Sequence, residues 1–193
     1  MKKLKSKELI IFLDCGDTII DEGTEIRDEH DIVVEANIIP GADIMVKTLA
    51  ERGYTLALVA DGLAQSFKNI LTQNGLYDYF KVMIYSENLK VHKPSPRMFK
   101  AAVGALDLDE KDHRRIVMVG NNLSRDIKGA NNVGITSIFL NWTPRYSKSS
   151  TDKSEKPDYI ISEPIELIDL VEELNLKVSE NMDIKSNTAV KKN

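Results

Sequence analysis

Four short polar segments punctuate this chain in a fixed order: D-C-G-D-T at Asp14–Thr18, A-D-G at Ala60–Gly62, K-P-S-P at Lys93–Pro96 and G-N-N-L-S-R-D at Gly120–Asp126. Each lies at or just beyond the end of an apolar run. Each is therefore expected at the carboxyl edge of a parallel sheet, where open α/β sheets bind their ligands. The residue types are those of phosphoryl chemistry around a cation. A carboxylate such as Asp14 can take a phosphoryl group as an aspartyl-phosphate. A lysine such as Lys93 can hold carboxylate and phosphate together against their like charge. Asn121 and Asp126, five residues apart, carry the oxygen donors that hard cations prefer.

Six apolar runs must position those residues: Leu9–Leu13, Tyr54–Ala60, Val82–Tyr85, Ile116–Val119, Thr136–Leu140 and Tyr159–Ile161. They are short and apolar on both faces, which reads as buried parallel strands, although periodicity alone does not separate them from buried helix. Helical patterns lie between them. Leu63, Phe67, Ile70 and Leu71 share one helical face, with Gly75 placed to end the helix. Ser95 followed by Pro96 suits the N-cap and first turn of a helix running to about Leu106. Gly53 and Gly134 follow helices expected over Ala42–Arg52 and Ser124–Val133, and Pro164 opens a last helix ending near Leu174. The alternation predicts an α/β fold with a doubly wound parallel sheet. Thr143–Lys156, rich in Ser, Thr and Lys, reads as a surface loop. The polar residues 177–193 read as a disordered tail to a domain over residues 1–176.

Composition narrows the function classes. The 193 residues suffice for one domain with a substantial core. Charged residues make up 29% and the net charge is −4, which argues against nucleic-acid binding. No apolar run approaches the roughly eighteen residues of a membrane span. The apolar Leu9–Leu13 behind the basic Met1–Lys7 is too short for a signal peptide. The single cysteine, Cys15, can form no internal disulfide and fits a reducing cytoplasm. A cysteine-phosphatase loop would need Arg six residues after Cys15, where Asp21 stands. No G-x-x-x-x-G-K nucleotide loop and no paired Cys/His spacing for zinc occurs. His30, His92 and His113 are scattered, and His92 beside Lys93 is read as a loop residue.

The order and spacing of the four segments resemble the haloacid dehalogenase (HAD) superfamily of aspartate-nucleophile hydrolases, over about Leu9 to Leu174. K-P-x-P-x-x-F at Lys93–Phe99 is the most specific match, and Pro40–Gly41 leading into a helix fits as well. The resemblance implies a HAD-like Rossmannoid sheet with its strands in the order fifth, fourth, first, second, third. It implies Asp14 as nucleophile, Lys93 as electrostatic clamp, and Thr18, Asp61, Gly62 and Lys93 facing the substrate, with Thr18 also holding the loop. Mg2+ is the implied cofactor, organised by Asp14, the backbone carbonyl of Gly16, Asn121 and Asp126, the last as anchor. The implied partner is a phosphate ester, small or macromolecular.

Three positions depart from the family's phosphatase pattern. A second Asp usually follows the nucleophile by two residues as acid/base, where this chain has Gly16; a Ser or Thr ends the second strand, where it has Ala60; and Asp stands where it has Asn121. Asp17, one residue along a tight turn, points elsewhere and does not inherit the acid/base role. Protonation of the leaving group is then expected from water or substrate. An acid restored at position 16 is expected to help alkyl esters if the turn can aim it. With Asn121, reduced cation affinity is expected. Neither residues 21–39 nor Gly62–His92 holds a cap domain of the kind many relatives insert. A capless, open site is expected, covered by loops, by a second copy of the chain or by a large substrate. Three functions stay open: Mg-assisted phosphomonoester hydrolysis, a phosphate-binding or regulatory domain with little turnover, and dehalogenase-type displacement. Asp14 and Lys93 serve all three.

Overall fold

The six apolar runs become parallel strands because each presents apolar side chains to both faces, and helices cover both faces. A computed structural model describes residues 7–190, with side chains to residue 180. Its main strands are β1 (Ile10–Leu13), β4 (Thr55–Ala60), β5 (Val82–Tyr85), β6 (Ile116–Gly120), β7 (Thr136–Leu140) and β8 (Tyr159–Ile161). They form one parallel sheet in the order β5-β4-β1-β6-β7-β8. The expected five-strand order is present, and β8 extends it by one strand. A separate antiparallel hairpin joins β2 (Ile26–Arg27) to β3 (Val33–Glu35).

Alternation along the strands divides the interior into two cores. Leu9, Ile11 and Leu13, with Leu56 and Leu58 of β4 and Val117 and Val119 of β6, face one of them. That core is closed by α1 (Ala42–Glu51), α2 (Ala64–Gln73) and α6 (Glu166–Val190), through Met45, Leu49, Leu71, Leu167 and Val171. Ile10, Phe12, Ala57, Val59, Ile116 and Met118 face the other. There α4 (Pro96–Ala105) and α5 (Lys128–Val133) supply Met98, Phe99, Ala102 and Ala130. A single turn, α3 (Ser86–Leu89), follows β5.

The topology fixes where a site can form. From β1 the chain builds outward through β4 and β5, then returns to the other side of β1 with β6. Leu13 at the end of β1 pairs with Leu58 on one side and Val119 on the other. The segments that follow these strands therefore leave the sheet at one edge, around a topological switch point.

Several local expectations change. Ser95 sits at the N-cap of α4, but its side chain makes no capping hydrogen bond, leaving Pro96 as the start signal. The helix expected over Ser124–Val133 begins as a wide π turn, Leu123–Ile127, before α5. The last helix continues past Leu174 to Val190, so residues 177–190, expected as a disordered tail, have a helical backbone. Residues 1–6 and 191–193 lie outside the described residues. Residues 21–39 hold a 3-10 turn at Glu22–Thr24 and the β2–β3 hairpin, which escaped the sequence reading because its strands are two and three residues long. Among the described residues no helix is long and apolar enough to cross a membrane.

The N-terminal segment is tied to α6 by charge. Lys7 Nζ contacts Glu172 Oε2 at 2.6 Å and donates to the Tyr54 hydroxyl at 3.2 Å, while Arg52 reaches Glu172 Oε1 at 3.2 Å. Burial works to raise the Glu172 carboxyl, but its hydrogen bonds to Lys7, Tyr54 and Arg52 and the nearby Lys7 charge hold it below the ordinary value. A lowered carboxylate pKa stabilises the fold above the unfolded value and loses that contribution as pH falls through the folded one. Glu172→Gln is expected to cost about 0.5–1 kcal/mol at pH 7 in urea unfolding. The difference from wild type should shrink below the ordinary glutamate range, and a pH-independent gap would assign Glu172 a packing role instead.

Candidate active site

Lys93 is the centre of the sheet edge. Its ammonium lies 2.6 Å from Asp14 Oδ1 and 2.7 Å from Asp126 Oδ1, with the lysine side chain 1% exposed. It also donates to the Val59 carbonyl at 2.8 Å. Burial works to lower its pKa, but Asp126, Asp14 and Asp61 outweigh burial and raise it, so the ammonium stays charged. Burial, and then the Asp14 charge, push the Asp126 carboxyl up, with Lys93 pulling the other way.

Each partner is placed by its own loop. Asp14 leaves β1 with its N–H donating to the Val119 carbonyl at 3.0 Å. Asp61, just past β4, accepts from the Lys93 N–H at 3.0 Å and so fixes the lysine's backbone. Asp126 sits inside the π turn after β6 and accepts from the Asn122 N–H at 3.0 Å. Its carboxyl packs against the strand end so closely that a Cβ on Gly120 would lie 2.3 Å from it, which only glycine permits. Asn122 accepts from the N–H groups of Ser124 and Arg125, capping that turn.

The structure brings Asp14, Gly16, Asp61, Gly62 and Asn121 to one cavity of about 220 Å³. Lys93, Asp126 and Thr18 are buried rather than part of the cavity lining. The Thr18 hydroxyl has no hydrogen-bond partner, and its backbone N–H closes a turn to the Cys15 carbonyl at 3.2 Å. Ala60 is buried in the core. His92 lies 3.7 Å from Asp61 with its side chain largely in solvent. Cys15 is buried, and desolvation raises its thiol well above the ordinary value, so it is a filler rather than a nucleophile.

Two features were not legible in the motifs. The first is Glu22. A Cβ on Gly16 would lie 2.0 Å from Glu22 Oε1, so this carboxyl occupies the volume into which a side chain at position 16 would project. Glu22 accepts from the Tyr146 hydroxyl at 2.7 Å. Burial raises its pKa, opposed by that hydrogen bond and reinforced by Asp17 and Asp14. The second is the loop after β7, expected to be plain surface. Its Arg145 reaches buried Asp17 at 2.6 Å and Asp21 at 2.8 Å, and its Tyr146 lines the cavity. Asp17, at φ 47°, also accepts from the Glu22 N–H at 3.1 Å, which confirms a structural side chain turned away from the cavity. The β2–β3 hairpin forms another wall through Arg27, Asp31 and Val33. The cavity is thus partly covered by the chain's own segments.

The donors at this edge are oxygens, which suit a hydrated hard cation such as Mg2+. Among the described residues no group of three or more His, Cys, Asp and Glu side chains is arranged to hold a metal. Asn121 is buried beside the cavity with its Nδ2 unpartnered, so no bond through that atom commits the amide, and its oxygen is free to serve. One carboxylate with neutral oxygens matches the way Mg2+ is held when water and substrate phosphate complete its shell.

A family model for haloacid dehalogenase-like hydrolases matches residues 10–140. The chain belongs to that family. Among curated relatives, a glyceraldehyde 3-phosphate phosphatase of Methanopyrus kandleri is 32% identical over 126 residues, 65% of this chain and 53% of the relative. A pyrimidine 5'-nucleotidase of Streptococcus pneumoniae is 26% identical over 178 residues, 89% of this chain and 73% of the relative. The chain spans about half the length of the glyceraldehyde 3-phosphate phosphatases it matches. A HAD phosphatase of Thermococcus onnurineus shares the fold, with a TM-score of 0.67 at 21% identity over 84% of this chain and 97% of that one.

The Gly16–Glu22 contact makes a direct prediction. Gly16→Asp is expected to drive Glu22 off Tyr146 rather than restore an acid, costing about 1 kcal/mol. In a Glu22→Ala background the same change should be close to neutral, giving a coupling of about 1 kcal/mol in a double-mutant unfolding cycle. Additive effects would mean that the two positions do not share space.

Proposed function

We propose that this chain hydrolyses phosphomonoesters through an aspartyl-phosphate on Asp14. The observation that carries this reading is Lys93, buried between Asp14 and Asp126 at 2.6 and 2.7 Å beside the cavity. A fixed ammonium there draws the anionic phosphate onto an anionic nucleophile and needs no reorganisation when charge shifts. Family relatives named as phosphatases, a nucleotidase and a pyrophosphatase support the same reaction class.

In this reading an Asp14 oxygen attacks phosphorus, the bond to the ester oxygen breaks, and its electron pair leaves with that oxygen. Lys93 holds Asp14 in line and Asp126 holds Lys93. Glu22, which occupies the volume beside Gly16 and lines the same cavity as Asp14, would give its proton to the leaving oxygen. Water then attacks the aspartyl-phosphate, its proton passes back to Glu22, and the Asp14–phosphorus bond breaks to free Asp14 and inorganic phosphate. Asp14, the Gly16 carbonyl and Asn121 would hold Mg2+, which when bound neutralises charge on the transferring phosphoryl group. Thr18 shapes the loop from within, and Asp61 and Gly62 border the substrate. A cytoplasmic setting is supported by the lone buried Cys15, and a second copy of the chain remains available to cover what the hairpin and Tyr146 leave open.

The second reading, phosphate binding with little turnover, is favoured by two observations: Ala60 offers no hydroxyl and Asn121 brings no charge. Phosphate release from aryl, acyl and alkyl phosphates, with a chloride-release arm on 2-chloro acids, separates the readings. Wild type is expected to release phosphate, with Mg2+ needed at higher concentration than for sites with two or more carboxylates. Asp14→Asn should lose at least about 10³-fold. Glu22→Gln should spare acyl phosphates and lower alkyl phosphate turnover by about 10²-fold or more. Phosphate binding without turnover of even acyl phosphates would establish the second reading.

A further inference from the structure

The cavity over Asp14 has a mixed lining. Asp14, Asn121 and Arg125 are among its polar groups, and a phosphate on Asp14 would sit beside them. Its apolar lining comes from Ile20, Val33, Leu63, Phe67 and Ile70, three of them on one face of α2 with Val33 fastened against that helix. Resting on the phosphatase reading, we propose that the substrate carries a single phosphate on a compact apolar body of about one aromatic ring, with no second anionic group.

The apolar lining is preformed. Phe67 stacks on Tyr85 with ring centres 5.2 Å apart and planes within 8°, which fixes the face it turns to the cavity. The hairpin is fastened to α2 on both sides of Val33: its N–H donates to the Ser66 hydroxyl at 3.0 Å, and its carbonyl accepts from Asn69 Nδ2 at 3.0 Å. A ring entering against this lining meets walls that need no ordering, which removes one of the usual costs of binding.

Size limits the occupant. An apolar cavity of about 150 Å³ holds benzene. A cavity of about 220 Å³ therefore has room for a phosphoryl group with one ring or a short branched chain. Charge limits it further. Glu22, Glu25, Asp31 and Asp61 border the cavity against Arg27 and Arg125 alone. Arg27 is already paired with Glu25 at 2.5 Å and Asp31 at 3.2 Å, and Arg125 stands 3.9 Å from Asp61. With Arg125 beside the phosphate, a second carboxylate or phosphate on the ligand would face mainly carboxylates and an Arg27 already paired, a repulsion that acts as selection against such ligands.

Phosphonates, which cannot be hydrolysed, test this by calorimetry on the full chain in excess Mg2+. Phenylphosphonate is expected to bind about 10-fold or more tighter than methylphosphonate, the yield of burying one ring. Phosphonoacetate, which adds a second anion, is expected to bind more weakly than phenylphosphonate. Leu63 is the N-cap of α2 and makes no capping bond there, and Asn is among the residues preferred at that position. Leu63→Asn therefore keeps the helix while making one wall polar, and should cut the ratio of phenyl- to methylphosphonate affinity about 3-fold or more. Phe67→Leu should also reduce it. Equal binding of phenyl- and methylphosphonate, or tighter binding of phosphonoacetate, overturns the substrate class while the phosphatase reading stands on phosphate release. Absence of both phosphonate binding and phosphate release from any ester overturns that reading, and this one with it.

Discussion

A buried ammonium bridging two carboxylates is the interaction on which the rest of this molecule depends. Desolvating an ion costs several kcal/mol, and only close, well-aimed partners offset that. Lys93 has three: Asp14, Asp126 and the Val59 carbonyl, all within 2.8 Å. They come from three different places, the ends of β1 and β4 and the turn after β6, so the cluster exists only while the sheet keeps its register. Removing Lys93 would leave two carboxylates facing each other in the interior. Lys93 offsets one of those two charges, which lessens the repulsion an incoming phosphate would meet beside Asp14.

That cluster imposes demands outward. Asp126 must point at Lys93 from a turn that starts three residues beyond the strand, and the π turn supplies the change of direction. Its carboxyl then lies so close to β6 that position 120 must be glycine. On the other flank, Asp61 holds the lysine by its backbone N–H rather than its charge, so its carboxylate both places the chain and adds to the field that keeps the ammonium protonated. The turn after β1 is held from outside by Arg145 across Asp17 and Asp21. That ion pair links a loop with no regular structure to the position of Glu22, since Asp17 also holds the Glu22 N–H.

The division between what was readable in the sequence and what was not follows range. Strands were legible because short runs of apolar residues need no partner to be recognised, and the edge residues because they lie at or shortly after the ends of such runs. Asp14, Lys93 and Asp126 met as expected for this reason. Glu22 was missed because its role arises from an absence elsewhere: nothing about a glutamate six residues after the loop glycine announces that it fills the glycine's missing side chain. Arg145 was missed because its partners lie 128 and 124 residues away. The hairpin was missed because its strands are too short for period two to register, and its stability comes from Ser66 and Asn69 on α2. The helical backbone of residues 177–190 has another origin: a polar sequence can follow an established helix at little cost, since propagation is far easier than nucleation.

In the proposed reaction, Asn121 would tie cation and phosphate together. With an acid at this position, two carboxylates would bind a divalent cation without substrate. With the amide, protein charge toward the cation would come from Asp14, which Lys93 already engages, and the missing anionic oxygens would have to come from the phosphate. Cation and phosphate would then strengthen each other's binding, and by linkage the effect would be the same in both directions. The departure from an acid would weaken such a metal site in the free protein more than in the complex. It would also remove one negative charge from the path of an incoming dianion. Read this way, Asn121 and Lys93 act in the same sense: both let an anion enter a site whose nucleophile is itself an anion.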